Sequence, residues 1–239
     1  MTLGKILIVG AGGLGVPAAW ALARDGAASI TIIDPDPIEL SNLPRQVIYT
    51  TSDIGRPKAE AARDFLRGRF PGTEIDARAI ALDASNARDL IVAHTFVIDA
   101  TDSPLAKFLI NDVCLALGVP FVYAGVIGMT GQAMTIIPGA TACLRCIFEE
   151  PPSEVEIATC RDAGIIGPIA SAIGEIQARE ALRVSRGIEP MLAGKILTYD
   201  GAAAPRVRII SLSARPGCAC GAVAKGSERE RKEHDELRH

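Results

Sequence analysis

Glycines 10, 12 and 15 stand in the order G-x-G-x-x-G within "VGAGGLGVP", after the apolar run "KILIVG" and before an alanine-rich stretch. A strand that ends in such a turn and continues as a helix leaves backbone N–H groups facing outward, and those groups suit phosphate. Asp34, closing the next apolar run "SITIID", is placed to accept hydrogen bonds from ribose hydroxyls. Just beyond it lie Ser41, Asn42, Arg45 and Gln46 in "SNLPRQ", then Lys58 in "GRPKAEAAR". A planar guanidinium and a point-charge ammonium together suit a polyphosphate, although each alone also reads as an ordinary solvated surface charge. In "VIDATDSPLAKFLIND", Asp102 follows a strand-like run at the position where open α/β sheets bind ligands, and a carboxylate facing a triphosphate is a natural Mg²⁺ ligand. Asp99 or Asp102 is also suited to cap the helix that begins at "SPLAKF".

A second chemistry lies in the six cysteines. Cys143-x-x-Cys146 and Cys218-x-Cys220 are close pairs far apart in the chain, a pattern that points to metal more than to disulfides in a cytoplasmic protein. Cys114 sits in an apolar stretch and reads as core. Cys160 stands alone between Thr159 and Arg161, ahead of a helix start. A neighbouring cation and a helix N-terminus lower a thiol's pKa and make it a nucleophile; the plainer reading is an incidental loop thiol. His94, His234 and His239 form no constellation, and Trp20 with the scattered phenylalanines reads as core rather than as stacking platforms for bases.

The elements that must position these groups follow a βαβ rhythm. "KILIVG", the alanine-rich helix to about Arg24 and "SITIID" form the first unit. Helical patterns at about 57–69, 86–93 and 104–117 then alternate with apolar runs at 73–80, 95–100 and 120–124, which predicts a mostly parallel sheet. After Ala124, "VIGMTGQAMTIIPG" reads as a hairpin or antiparallel strand, and "KILTYD" and "RVRIISL" add two more short strands. Between them, "FEEPPSEVEIATCRDAGIIGP" is a long connection of the kind that is usually functional or mobile, followed by a helix at about 168–186. The fold class is therefore α/β: a Rossmann-like, mostly parallel sheet extended by antiparallel strands. One domain is expected over residues 1–224, with its core in 1–124 and the antiparallel extension, crossover loop and metal site in 125–224. The charged stretch 225–239 reads as a solvated tail or frayed helix.

Composition narrows the function classes. With 239 residues, 49% hydrophobic and 22% charged, the chain has enough apolar material for one substantial core, and a net charge of −3 gives no bulk attraction to nucleic acid or acidic membrane. Residues 6–23 and 113–144 are uncharged, and the first ends in a signal-like "ALA". Glycines and prolines break both runs into short pieces, so a cytoplasmic protein without secretion signal or membrane span is expected.

The motifs in order, "GAGGLG", Asp34, "SNLPRQ", "PKAEAA", "TDS", "CLRC", a cysteine before "GIIGPIASAIGEIQAREALR", "KILTYDG" and "CAC", resemble the ThiF/MoeB/HesA family, adenylating enzymes related to ubiquitin-activating enzymes. The resemblance runs from about residue 3 to 221. It implies ATP-dependent adenylation of the C-terminal glycine of a small ubiquitin-like sulfur carrier ending in Gly-Gly, in thiamine, molybdopterin or related biosynthesis. It also implies a homodimer, one structural zinc per subunit, and a sulfur donor such as a cysteine desulfurase. Carried over by position, the ATP site comprises Gly10, Gly12, Gly13 and Gly15 of the turn, Asp34, the segment Ser41, Asn42, Leu43, Pro44 and Arg45, then Lys58, Asp102 and Ser103. Asp102 is the implied Mg²⁺ ligand, and Arg45, Lys58, Asp102 and Cys160 are the implied catalytic set. Cys160 matches a cysteine that in some members takes part in sulfur transfer or a covalent carrier intermediate. Cys143, Cys146, Cys218 and Cys220 fall on the zinc positions, and four thiolates fit tetrahedral zinc.

Four departures accompany the resemblance. The second cysteine pair is C-x-C rather than C-x-x-C, "TDS" replaces "TDN", and Lys107 stands in place of an arginine that would grip phosphate bidentately. The helical segment that in the family precedes the first strand, with an arginine reaching the partner subunit's ATP, has no counterpart here. Its role is expected to pass to another residue or partner, or turnover to be poor. The rival readings are an NAD-dependent oxidoreductase, which shares the turn and the acid, and a low-activity relative acting as a carrier-binding scaffold. A third, within the family, is activation of a peptide or a modified tRNA base.

Overall fold

The computed structural model describes residues 4–152, 164–204 and 206–220. Strand β1 (Lys5–Val9), helix α1 (Gly15–Arg24) and strand β2 (Ser29–Ile33) form the first βαβ unit, with Val9 opposite Ile33 in parallel register. Apart from Lys5, Ser29 and Thr31 both strands are apolar, because helices cover the sheet on both faces. Helix α2 (Lys58–Arg67) leads to β3 (Glu74–Arg78), and α3 (Ala87–Val92) leads to β4 (Phe96–Asp99). After α4 (Pro104–Leu117), strand β5 (Phe121–Ile127) completes the parallel part of the sheet.

At Gly128 and Met129 the chain reverses, and β6 (Thr130–Ile136), β7 (Lys195–Asp200) and β8 (Val207–Ser211) continue the sheet antiparallel. The order is β3-β2-β1-β4-β5-β6-β7-β8, eight strands in one sheet. Short helix α5 (Leu144–Ile147) follows β6, and the long α6 (Gly167–Ser185) precedes β7. Helices α1, α2 and α6 pack on one face, and α3, α4 and α5 on the other. The two uncharged runs resolve into β1, turn and α1, and into the end of α4, the β5–β6 hairpin and the start of α5. Among the described residues, no helix is long and apolar enough to cross a membrane.

Close approach explains several glycines. A β-carbon on Gly174 would lie 2.3 Å from Leu14 O, so its absence lets α6 lie directly on the start of α1. Buried Glu180 ties the same helix to β6 and the following loop: its carboxylate accepts Thr135 Oγ1–H at 2.6 Å, Leu192 N–H at 2.8 Å and Met191 N–H at 3.0 Å. Farther along α1, Trp20 meets Phe65 and Phe70 at centroid distances of 5.5 and 5.1 Å, with the Arg69 guanidinium 3.7 Å from the Phe65 ring centre.

The capping of α4 corrects one expectation. Neither Asp99 nor Asp102 caps the helix. Ser103 does, its Oγ accepting Ala106 N–H at 3.3 Å with Pro104 as the first helical residue. Residues 153–163 of the crossover connection, Cys160 among them, and the stretch 225–239 lie outside the described residues.

Candidate nucleotide-binding site

The site forms at the carboxyl ends of β1, β2 and β4. Gly10 turns the chain out of β1 with φ +107°, and a β-carbon there would lie 2.6 Å from Ala100 O. Gly15 is under the same constraint, 1.8 Å from Gly10 O. The amides of Gly12, Gly13 and Leu14 then make no backbone hydrogen bond among the described residues. Idle donors at the start of a helix, where the helix dipole adds positive potential, are what a phosphate requires.

Asp34 is buried immediately behind the turn. Its Oδ2 accepts Ala11 N–H at 2.7 Å and its Oδ1 accepts Asp36 N–H at 2.9 Å, so it shapes the glycine turn. Burial pushes its carboxyl above the ordinary range, against the pull of these two amides and of the Lys58 ammonium. Tyr49, which no sequence motif singles out, clamps the same region: its hydroxyl sits 2.8 Å from Ala11 O and 3.1 Å from Lys58 O. The signal was faint, since an aromatic in a loop does not announce that its hydroxyl joins two remote carbonyls.

The segment 41–46 folds back over the turn. Asn42 is buried and its Oδ1 accepts Glu39 N–H at 3.2 Å, while Leu43 packs into the core and Ser41 and Pro44 stay exposed. The Arg45 backbone is wedged between the turn and α6: β-carbons on Gly13 and Gly167 would lie 3.6 Å from its O and 3.1 Å from its Cα. Its guanidinium donates to Ser41 O at 2.9 Å and has no carboxylate partner among the described residues. Lys58 begins α2 with its side chain largely covered, and its ammonium is 2.8 Å from Asp36 Oδ2. A polyphosphate bound here must draw that ammonium from an exposed carboxylate.

At the end of β4, Asp99 is fully buried and grips Lys107, whose Nζ lies 3.1 Å from each carboxylate oxygen and 2.6 Å from Ala124 O. Burial raises the Asp99 carboxyl while Lys107 and the Thr101 donors oppose it. The three donors of the ammonium are thus committed, so Lys107 holds the strand ends and does not replace a phosphate-gripping arginine. Gln177 of α6, also missed from sequence, donates to Asp99 O at 2.7 Å. Asp102 and Ser103 follow on the surface, and the Asp102 carboxylate makes no hydrogen bond among the described residues. An exposed, uncommitted carboxylate at a strand's carboxyl end fits the donor set of Mg²⁺, which binds through one or two carboxylates together with phosphates.

The four cysteines gather at the other end of the sheet. Cys143, Cys146, Cys218 and Cys220 place their sulfurs within 4.8 Å of one another. Individual separations are 3.6 Å for Cys143–Cys218, 3.4 Å for Cys146–Cys220 and 3.9 Å for Cys143–Cys146. Sulfurs at ~2.3 Å from a tetrahedral zinc stand about 3.8 Å apart, so the C-x-C spacing does not spoil the fit. Burial works against ionisation of Cys146, yet the Arg215 and Cys143 amides and the neighbouring thiols bring its pKa down to about 7. His94, which carried no assignment, is a buried strut, with Nδ1–H donating to Leu90 O at 2.6 Å and Nε2 2.8 Å from Thr31 Oγ1.

The ThiF family model matches residues 2–221. The chain is 37% identical over 196 residues to a SAMP-activating enzyme E1 of Haloferax volcanii, covering 82% of this chain and 72% of that protein. It is 35% identical over 223 residues to a sulfur carrier protein adenylyltransferase of Thermus thermophilus, covering 91% and 82%. Against an adenylyltransferase and sulfurtransferase MOCS3 of Arabidopsis thaliana it is 34% identical over 233 residues, 97% of this chain but 50% of that one, so it spans about half the length of such relatives. Among solved structures, E. coli MccB with ATP superposes with a TM-score of 0.79 at 21% identity, over 91% of this chain and 66% of that one, a likeness of fold.

Proposed function

This chain belongs to the ThiF family, and from that premise we propose that it is an adenylyltransferase that activates the C-terminal glycine of a small ubiquitin-like sulfur-carrier protein with ATP. One observation carries the nucleotide half of the reading: amides at Gly12 to Leu14, without a partner among the described residues, lie beside buried Asp34 and beneath the Arg45 segment. The carrier half is supported by relatives named as sulfur carrier protein adenylyltransferase and SAMP-activating enzyme E1.

In this reading the carrier's carboxylate forms a bond to the α-phosphorus, the bond from that phosphorus to the bridging oxygen breaks, and pyrophosphate leaves with the electron pair. No general base is needed for an already ionised carboxylate. The glycine-turn amides and Asp34 orient the nucleotide, and Arg45 and Lys58 offset charge that builds on the phosphates, so catalysis is positioning and electrostatics. Mg²⁺ held by Asp102 would neutralise phosphate charge further. Cys143, Cys146, Cys218 and Cys220 would hold a structural zinc. The active form is a cytoplasmic homodimer that works with a sulfur donor such as a cysteine desulfurase. The Cys160 thiolate would attack the acyl carbon, forming a thioester to the carrier's terminal glycine as the bond from that carbon to the phosphate oxygen breaks and AMP leaves.

The test is to mix the purified chain with ATP, Mg²⁺ and Gly-Gly-ended carriers, then weigh the carrier by mass spectrometry. A gain of one adenylyl group supports the reading. If no carrier of the panel gains mass while the chain binds NADH, the oxidoreductase alternative replaces it.

A further inference from the structure

We propose that Gln46 is a further ligand of the bound nucleotide, its side-chain amide donating to a phosphate oxygen above Gly12. The inference rests on the nucleotide site argued above. Gln46 is only 5% exposed. Its Oε1 is buried with no hydrogen-bond partner, and among the described residues its Nε2 makes no hydrogen bond either. Glutamine brings two donors and an acceptor into the interior, and folded proteins rarely leave such a group wholly idle.

The backbone that carries this amide is held in place. Gln46 N–H donates to Asn42 O at 3.0 Å, and Tyr49 N–H donates to Gln46 O at 3.1 Å. The chain is therefore fixed on both sides, by buried Asn42 and by the Tyr49 hydroxyl on Ala11 O. A β-carbon on Gly12 would lie 3.5 Å from Gln46 Nε2, which puts the idle donor over the same turn whose amides are idle. A phosphate oxygen is an acceptor for both sets of donors, Gln46 Nε2 and the turn amides; the buried Oε1 is itself an acceptor and takes no part in the contact. A ribose hydroxyl oxygen could also accept from Nε2, and a titration with adenosine separates that case from a phosphate contact.

Replacing Gln46 by Met keeps its length and removes the donor; Gln46→Ala is the second variant. Titration calorimetry with ATP and with adenosine, beside a thermal melt of the ligand-free chain, separates the outcomes. ATP binding is expected to weaken about tenfold in both variants, the worth of one charge-assisted hydrogen bond. Adenosine affinity and the ligand-free Tm should stay as in the parent. Parent-like ATP affinity, an equal loss for adenosine, or a lower Tm in both variants overturns the proposal. If the parent chain itself fails to bind ATP, the nucleotide site falls with it, a result distinct from a parent that binds and variants that bind equally well.

Discussion

Asp102 shows how a single residue can be tested apart from the fold. It is exposed and supports no hydrogen bond among the described residues, so Asp102→Ala should leave the urea midpoint unchanged. Carrier-driven ATP–pyrophosphate exchange should fall to background; near-parental exchange would remove the residue from the mechanism. The places of Asp34 and Asp102 after strands, of Lys58 at a helix start and of the cysteines in pairs were legible in the sequence, because each follows from a local pattern. Tyr49, Gln177 and the Asp99–Lys107 pair were not. Their partners are backbone carbonyls or groups that only tertiary packing brings near, such as Asp99 O, 78 positions from Gln177. The capping of α4 was missed for a related reason, since acids and serine are comparable caps and local geometry chose Ser103.

Among the elements, most strands and helices were readable to within a residue or two: "KILTYD" is β7, and the helix expected over 104–117 is α4. Apolar runs bounded by Gly and Pro mark such strands clearly. What the pattern could not show is how α6 meets α1. Helix propensity alone favours Gly174→Ala by up to about 1 kcal/mol. Contact geometry says the opposite, because the new carbon would press on Leu14 O, and forcing such a contact costs about 1–3 kcal/mol. We expect net destabilisation in urea unfolding, together with weaker ATP binding, since Leu14 belongs to the glycine turn. A stabilised variant would show that α6 can shift without disturbing the site.

Across the whole molecule, register separates the two chemistries. β6 ends beside the start of β5, with Phe121 opposite Ile136, and β8 ends beside the start of β7, with Lys195 opposite Ser211. The cysteine cluster that follows each of these ends therefore sits at the edge of the sheet opposite the nucleotide. Metal analysis should find about one zinc per chain, as a closed set of four thiolates binds one ion. Stripping it with a chelator should lower Tm by on the order of 10 °C while ATP affinity of the still-folded chain holds. An unchanged Tm after verified removal would make the metal incidental. Spacing alone showed two pairs and the family resemblance implied that all four share one site; the antiparallel half of the sheet is what brings their sulfurs together.

The aromatic stack on α1 carries a practical consequence. Trp20 is the only tryptophan in the chain, and it is lodged between α1 and the residues ending α2, on the very helix whose first turn would face the phosphates of the proposed nucleotide. The protein thus contains a single intrinsic indole chromophore at that seam, and its emission reads, without any label, whether filling the crevice makes the two helices slide past one another.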